Sequence, residues 1–132
     1  MAYEFSNSAV KVSRVAGEDL SSAQYKFVKL DNADGTVKAV SGATDRPFGV
    51  LQNSPTSGQI AEVTIVGGSK VEAGGSASVG QPLFSNASAL GVTLAFGTTG
   101  SAAYVAGTFV ENAASGAITT AVIDCANSGR GL

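Results

Sequence analysis

The sequence predicts an all-β fold: a small β-sandwich or barrel carrying an internal pseudo-twofold duplication, with little or no helix. Three observations lead there. The 132 residues are 44% hydrophobic and only 14% charged, and they include 17 glycines. That balance suits short strands joined by tight turns rather than a disordered chain. Apolar residues alternate in short runs, and no stripe of helical period extends over 11 residues. Finally, the same punctuation occurs twice. FGVLQNSPTSGQIAEVTIVG (48–67) and AGTFVENAASGAITTAVIDC (106–125) share Gly49 with Gly107, Ser57-Gly58 with Ser115-Gly116, and Ile60 with Ile118.

Upstream, Ala16-Gly17 faces Ala73-Gly74, Gln24 faces Gln81 and Phe27 faces Phe84, an offset of 57 residues against 58 in the later pairs. Each half then reads as a strand, an Ala-Gly turn, a polar connector, Gln with an aromatic strand, a glycine-containing hairpin, and Gly-x-hydrophobic followed by Ser-Gly-x-Ile. Two copies are too few and too long for a solenoid. The reading is a single β domain over residues 10–132, its halves about 10–66 and 67–125, preceded by an N-terminal arm or tail at 1–9. Neither half is expected to close its own core, so each should cover the apolar face of the other.

Element by element, YKFVKL (25–30) alternates Tyr25 and Phe27 with lysines. Asp34-Gly35 then opens a hairpin into TVKAV (36–40), because Asp-Gly tolerates the positive φ of a tight turn. Pro47 fixes the start of the Gly49-x-Leu51 strand. In AEVTIV (61–66), Val63 and Ile65 should point inward and Glu62 and Thr64 outward. Later strands are expected at 82–85, 91–96, 103–110 and 117–124, and AGEDLSSAQ (16–24) has room for one short turn.

Composition also limits function. The net charge is −2 with no Lys/Arg cluster, which leaves no footprint for a nucleic-acid backbone. The absence of histidine removes the commonest general base and nitrogen metal ligand, so neither a Ser-His-Asp nor a Cys-His site is available. Ser8-Ala9-Val10-Lys11 matches S-x-x-K by letters but lacks its companion motifs. Gly74-Gly75-Ser76-Ala77-Ser78-Val79-Gly80 lacks the Lys of a phosphate loop, and Asp31-Asn32-Ala33-Asp34-Gly35 lacks calcium-loop spacing. Cys125, the only cysteine, reads as a small buried hydrophobe. No catalytic, cofactor-binding or metal residue is assigned, and the expectation is a non-enzyme without cofactors.

MAYEFSNSA (1–9) lacks the basic and apolar regions of a secretory signal, so synthesis in a cytoplasm is expected. No run approaches the roughly 20 apolar residues of a membrane helix. Charge is unevenly spread: fifteen of the eighteen charged residues lie in 1–72, leaving Glu111, Asp124 and Arg130 for the rest. Interface cores are depleted of charge, so the second half is expected to meet another protein surface, a second copy first of all. Four interaction residues are singled out. Tyr3 and Phe5 stand on an arm able to add a strand to a partner, and Asp45 and Arg46 are charges that pair locally or across a subunit contact.

AGEDLSSAQYKFVKLD (16–31), DGTVKAV (34–40), RPFGVLQNSPTSGQIAEVTIVG (46–67) and SKVEAGGSASVGQPL (69–83) together resemble the capsid decoration, or cement, proteins of tailed bacteriophages. The likeness spans roughly 10–125, and R-P-F-G-V-L-Q-N followed by P-x-x-G-x-x-A-x-V is its most specific piece. It implies a non-enzymatic, β-rich virion protein on the outer surface of the capsid. Such a protein binds the major capsid protein of an expanded icosahedral head as a homotrimer, stabilising the shell by bridging its subunits. The alternative is a β-sandwich binding module for carbohydrate or a host surface, which would call for exposed aromatics; the chain has no Trp and three Tyr.

Overall fold

The computed structural model describes residues 9–32, 35–94 and 103–126. Among these it contains β-strands, turns and bends and no helix. The strands are β1 (Val10–Ala16), β2 (Phe27–Leu30), β3 (Thr36–Ala39), β4 (Gly49–Leu51), β5 (Ile60–Glu72), β6 (Pro82–Ser85), β7 (Gly91–Val92), β8 (Val105–Phe109) and β9 (Ile118–Asp124). The fold is all-β, as the composition and alternation predict.

Strand pairing forms two closed circuits that share the long β5. In the first, β5 pairs with β1 (Val12↔Val63) and β4 (Leu51↔Val63), and β4 pairs with β2 (Phe27↔Val50). β2 continues to β3 (Val28↔Ala39), and β3 returns to β1 in parallel (Val15↔Thr36). In the second, β5 pairs with β9 (Ser69↔Ala121), β9 with β8 (Phe109↔Ala121), β8 with β6 (Leu83↔Gly107) and β6 with β7 (Ser85↔Gly91). A parallel bridge from Gly91 to Ala73, the residue after β5, completes it. Closing a sheet on itself removes its exposed edges.

The two circuits use one register around β5. Adding 57 to Val12 and 58 to Leu51 and Val63 gives Ser69, Phe109 and Ala121, which are paired in the same way. At β6 the offset is 55 and not the expected 57: Val28↔Gly49 matches Leu83↔Gly107, so Phe27 corresponds to Pro82 instead of Phe84, and Gln81 to Lys26 instead of Gln24. The repeated glycines follow from this geometry. Gly58 and Gly116 have φ of +86° and +83°, and their N–H groups donate to Ala16 O at 2.9 Å and Ala73 O at 2.8 Å. Gly49 and Gly107 lie where a neighbouring strand comes too close for a side chain. A Cβ at Gly49 would collide with the Thr64 carbonyl, and one at Gly107 with the equivalent Val122 carbonyl. A backbone oxygen in a paired strand has little room to yield.

Cores differ from the expectation of mutual covering. The first ring encloses Ala16, Leu20, Val28, Val37, Leu51 and Val63 and so closes a core of its own. The second ring's cluster, built on Val71, Leu83, Phe109, Ala121 and Ile123, also takes in Phe27, Val40 and Val50 from the first half. Covering therefore runs one way, from the first ring onto the second. Two backbone hydrogen bonds fix that junction, Phe27 N–H to Ala89 O and Glu72 N–H to Tyr25 O, each 2.9 Å.

Some local expectations shift. Tyr25 has φ of +65° and belongs to the turn before β2, so that strand starts at Phe27. β5 runs unbroken through Gly67-Gly68, and residues 66 and 67 are consecutive members of one strand. Thr64 is buried instead of facing solvent: its cross-strand neighbour Val50 packs into the second ring's cluster, so this face of β5 is covered. Gly35 has the positive φ of a turn, +86°, whereas Asp34 lies outside the described residues. The expected strand at 91–96 is seen as Gly91–Val92, and residues 95–102 lie outside the described residues.

Candidate interaction surface

At one end of the first ring, the 41–46 turn folds back over β2. The Asp45 carboxylate holds it there, accepting hydrogen bonds from Ser41 N–H (3.1 Å) and Gly42 N–H (3.0 Å) and from the Lys29 ammonium (2.8 Å). Lys29 is paired across the sheet with Lys38, a like-charge juxtaposition that would be unfavourable alone. Asp45 neutralises the first and Asp31, 3.5 Å from Lys38, the second. The hydrogen bond from Lys29 is the main cause holding the Asp45 carboxyl below its ordinary value. Asp31 is also held low, chiefly by a backbone hydrogen bond from Asn32. Of the two candidate charges at this turn, Asp45 is therefore engaged locally.

Arg46 is exposed, and its guanidinium carbon lies 6.0 Å from the centre of the Tyr104 ring, the outer limit of a cation–π contact. Asp45 and Arg46 line the rim of a cleft of about 580 Å³ at the mouth of the first ring, together with Leu30, Asp31, Phe48 and Ile65. Leu30 is 52% exposed there. The other two candidate residues, Tyr3 and Phe5, lie outside the described residues.

Cys125, at the back of this cleft, is 4% exposed, its Sγ 3.9 Å from Ala106 O. Burial, with a smaller contribution from Asp124, pushes its thiol up to about 12, so it packs as a hydrophobe and supplies no thiolate at neutral pH. Among the described residues, no group of three His, Cys, Asp or Glu side chains is placed to hold a metal ion. No helix among them is long and apolar enough to cross a membrane.

The second ring presents a different surface. Its described residues after Glu72 carry two charges, Glu111 and Asp124. A hydrogen bond from Thr120 is the main cause keeping the Glu111 carboxyl low. Across β9, β8 and β6, Val122, Thr108 and Pro82 form one cross-strand row on the outer face. Val122 is 40% exposed, Thr108 is exposed and Pro82 is half-buried; Ile118, on the same face of β9, is exposed too but is separated from Val122 by the buried Thr120. Sequence reasoning found the charge depletion but not this row, because a row needs the register of three strands.

No protein-family model and no curated protein matches the chain. Among solved structures it is similar to the crystal structure of the head fiber gp8.5 N base in bacteriophage phi29, with a TM-score of 0.64 over 88% of this chain and 94% of that one. Sequence identity is 21%, so what the chain shares with the base of that phage head fiber is its fold.

Proposed function

We propose that the chain is a structural protein of a bacteriophage virion, bound to the outer surface of the head, where it stabilises the expanded icosahedral capsid by bridging shell subunits. The observation that carries this reading is the likeness of nearly the whole chain to the N base of a phage head fiber. The charge-poor second ring supports it, since small polar and aliphatic side chains can be desolvated against a shell without stranding charges. The major capsid protein is the proposed partner and a homotrimer the proposed state. Three modest patches held together on neighbouring subunits gain avidity without new contacts, so separating the subunits must rupture several patches at once. Tyr3-Phe5 and the Asp45-Arg46 rim are the proposed points of contact, with no catalytic step.

The test is to mix the purified protein with undecorated heads of the parent phage, expanded and unexpanded, and to image both. Ordered density on expanded heads is expected. Density on neither shell overturns the reading and favours a carbohydrate or host-surface module, although the one aromatic lining the cleft, Phe48, is half-buried. Deleting residues 2–8 separates arm from tail: loss of head binding or of oligomer size assigns the arm a role, and no change removes it.

A further inference from the structure

One outer row, seen in both rings, meets two different fates. In the first ring the row is Thr64–Val50–Phe27, running across β5, β4 and β2. All three side chains are buried, and Phe27 and Val50 belong to the cluster of the second ring. The second ring's row, Val122–Thr108–Pro82, crosses β9, β8 and β6 and is open; strand pairing, with Val28↔Gly49 matching Leu83↔Gly107, puts Pro82 and not Phe84 at the place Phe27 holds. The receiving side is duplicated as well. Ala106 and Ile123 sit in the cluster that takes up Phe27 and Val50, and their equivalents 58 residues earlier are Phe48 and Ile65. Those two line the cleft at the mouth of the first ring, where both are half-buried.

The molecule thus carries one complete copy of a contact and the two unmatched halves of another. We infer that the open row of one copy docks into the Phe48–Ile65 cleft of a second copy of this chain, repeating between molecules the contact that joins the rings within one. Side-chain sizes agree with this. Inside the chain a large plug, Phe27 and Val50, meets Ala106; between chains a smaller plug, Pro82 and Thr108, would meet the larger Phe48. Leu30, exposed on the cleft rim, supplies further apolar surface. Because row and cleft are different surfaces, the contact is head-to-tail. It closes only as a cyclic oligomer and otherwise grows as a filament. The inference deepens the self-association proposed above and rests on it.

The experiment uses two full-length variants, Val122→Lys to break the row and Leu30→Lys to break the cleft, studied by sedimentation velocity. Wild type is expected to sediment as a closed oligomer and each variant as a monomer, with association weakened about 100-fold or more because a lysine would be stranded in the contact. Mixed together, the variants should form a 1:1 dimer, since one retains an intact cleft and the other an intact row. That recovery also shows that both are folded, and an interface pairing identical patches would not give it. A wild-type monomer at high micromolar concentration, variants that keep the wild-type size, or monomeric variants that fail to recombine would each overturn the inference. Head decoration is scored separately. A wild-type chain that decorates expanded heads but stays monomeric in solution removes this inference and leaves the virion reading. A head-to-tail oligomer that binds no heads does the reverse.

Discussion

The two rings share a backbone and differ in what lies against their outer faces. Gly49 and Gly107, Gly58 and Gly116, and the strand pairs around Val63 and Ala121 repeat because each answers a demand of the main chain that no side-chain exchange can meet. The row Thr64–Val50–Phe27 and its counterpart Val122–Thr108–Pro82 do not repeat, because one is an internal joint and the other a surface. Charge follows the same division. The first ring pairs Lys29 with Asp45 and Lys38 with Asp31, whereas the described residues of the second after Glu72 carry only Glu111 and Asp124. Duplication has preserved what the backbone requires and left outer side chains free to acquire different partners.

If that division is right, the largest loss should come from the shared steric requirement. Gly107→Ala and Gly49→Ala each drive a methyl into a carbonyl oxygen of the adjacent strand, and both should cost more than about 4 kcal/mol or prevent folding. Urea denaturation of the two variants checks this. A Gly107→Ala protein of wild-type stability would show that the second ring does not obey the first ring's close approach.

The next effect should differ between the rings. Phe27→Ala removes a buried ring from the junction and is expected to cost about 3–5 kcal/mol. Thr108→Ala, in the open row, should stay within about 0.5 kcal/mol in the isolated monomer. Equal losses at the two positions would mean that the outer row of the second ring is covered within the same chain.

Much of this was legible in the sequence, and the part that was not has a physical cause. Glycine spacing located the duplication because glycines at 49, 58, 107 and 116 mark backbone geometry, which is local. Alternation placed most strands for the same reason. Thr64 was misplaced because alternation presumes one wet face, and only the long-range docking of the second ring makes that face dry. The boundary between halves at 66–67 falls inside β5, a continuous strand whose partner changes there from β1 to β9. Of the candidate site, Asp45 and Arg46 were visible as charges beside a proline. That Asp45 belongs to Lys29 depends on a hairpin bringing together residues 16 positions apart.

A smaller effect tests the equivalence of the turns. Gly58 and Gly116 have open space around their α-carbons, so alanine there meets only the strain of a left-handed backbone, about 1–2 kcal/mol. The two substitutions should agree within about 0.5 kcal/mol and should add in the double variant, since the turns belong to separate rings. A markedly larger loss at one of them would show that its turn is held by contacts the other lacks.

A last, small effect belongs to the first ring alone and depends on pH. Hydrogen bonding from Lys29, more than any other cause, lowers the Asp45 carboxyl from its ordinary 3.8, opposed by partial desolvation. A carboxyl whose folded value lies below its unfolded one contributes stability that is present above 3.8 and lost as pH falls through the lowered value. Since the pair is partly solvated, Asp45→Asn should cost only about 0–1 kcal/mol at neutral pH, and nothing once the wild-type carboxyl is protonated. The denaturation midpoints of wild type and variant should therefore differ slightly at neutral pH and converge well below 3.8. A gap that persisted at low pH would show that the amide, although its oxygen can accept from Ser41 and Gly42, does not reproduce the carboxyl in the 41–46 turn, and that the loss does not come from the charge against Lys29.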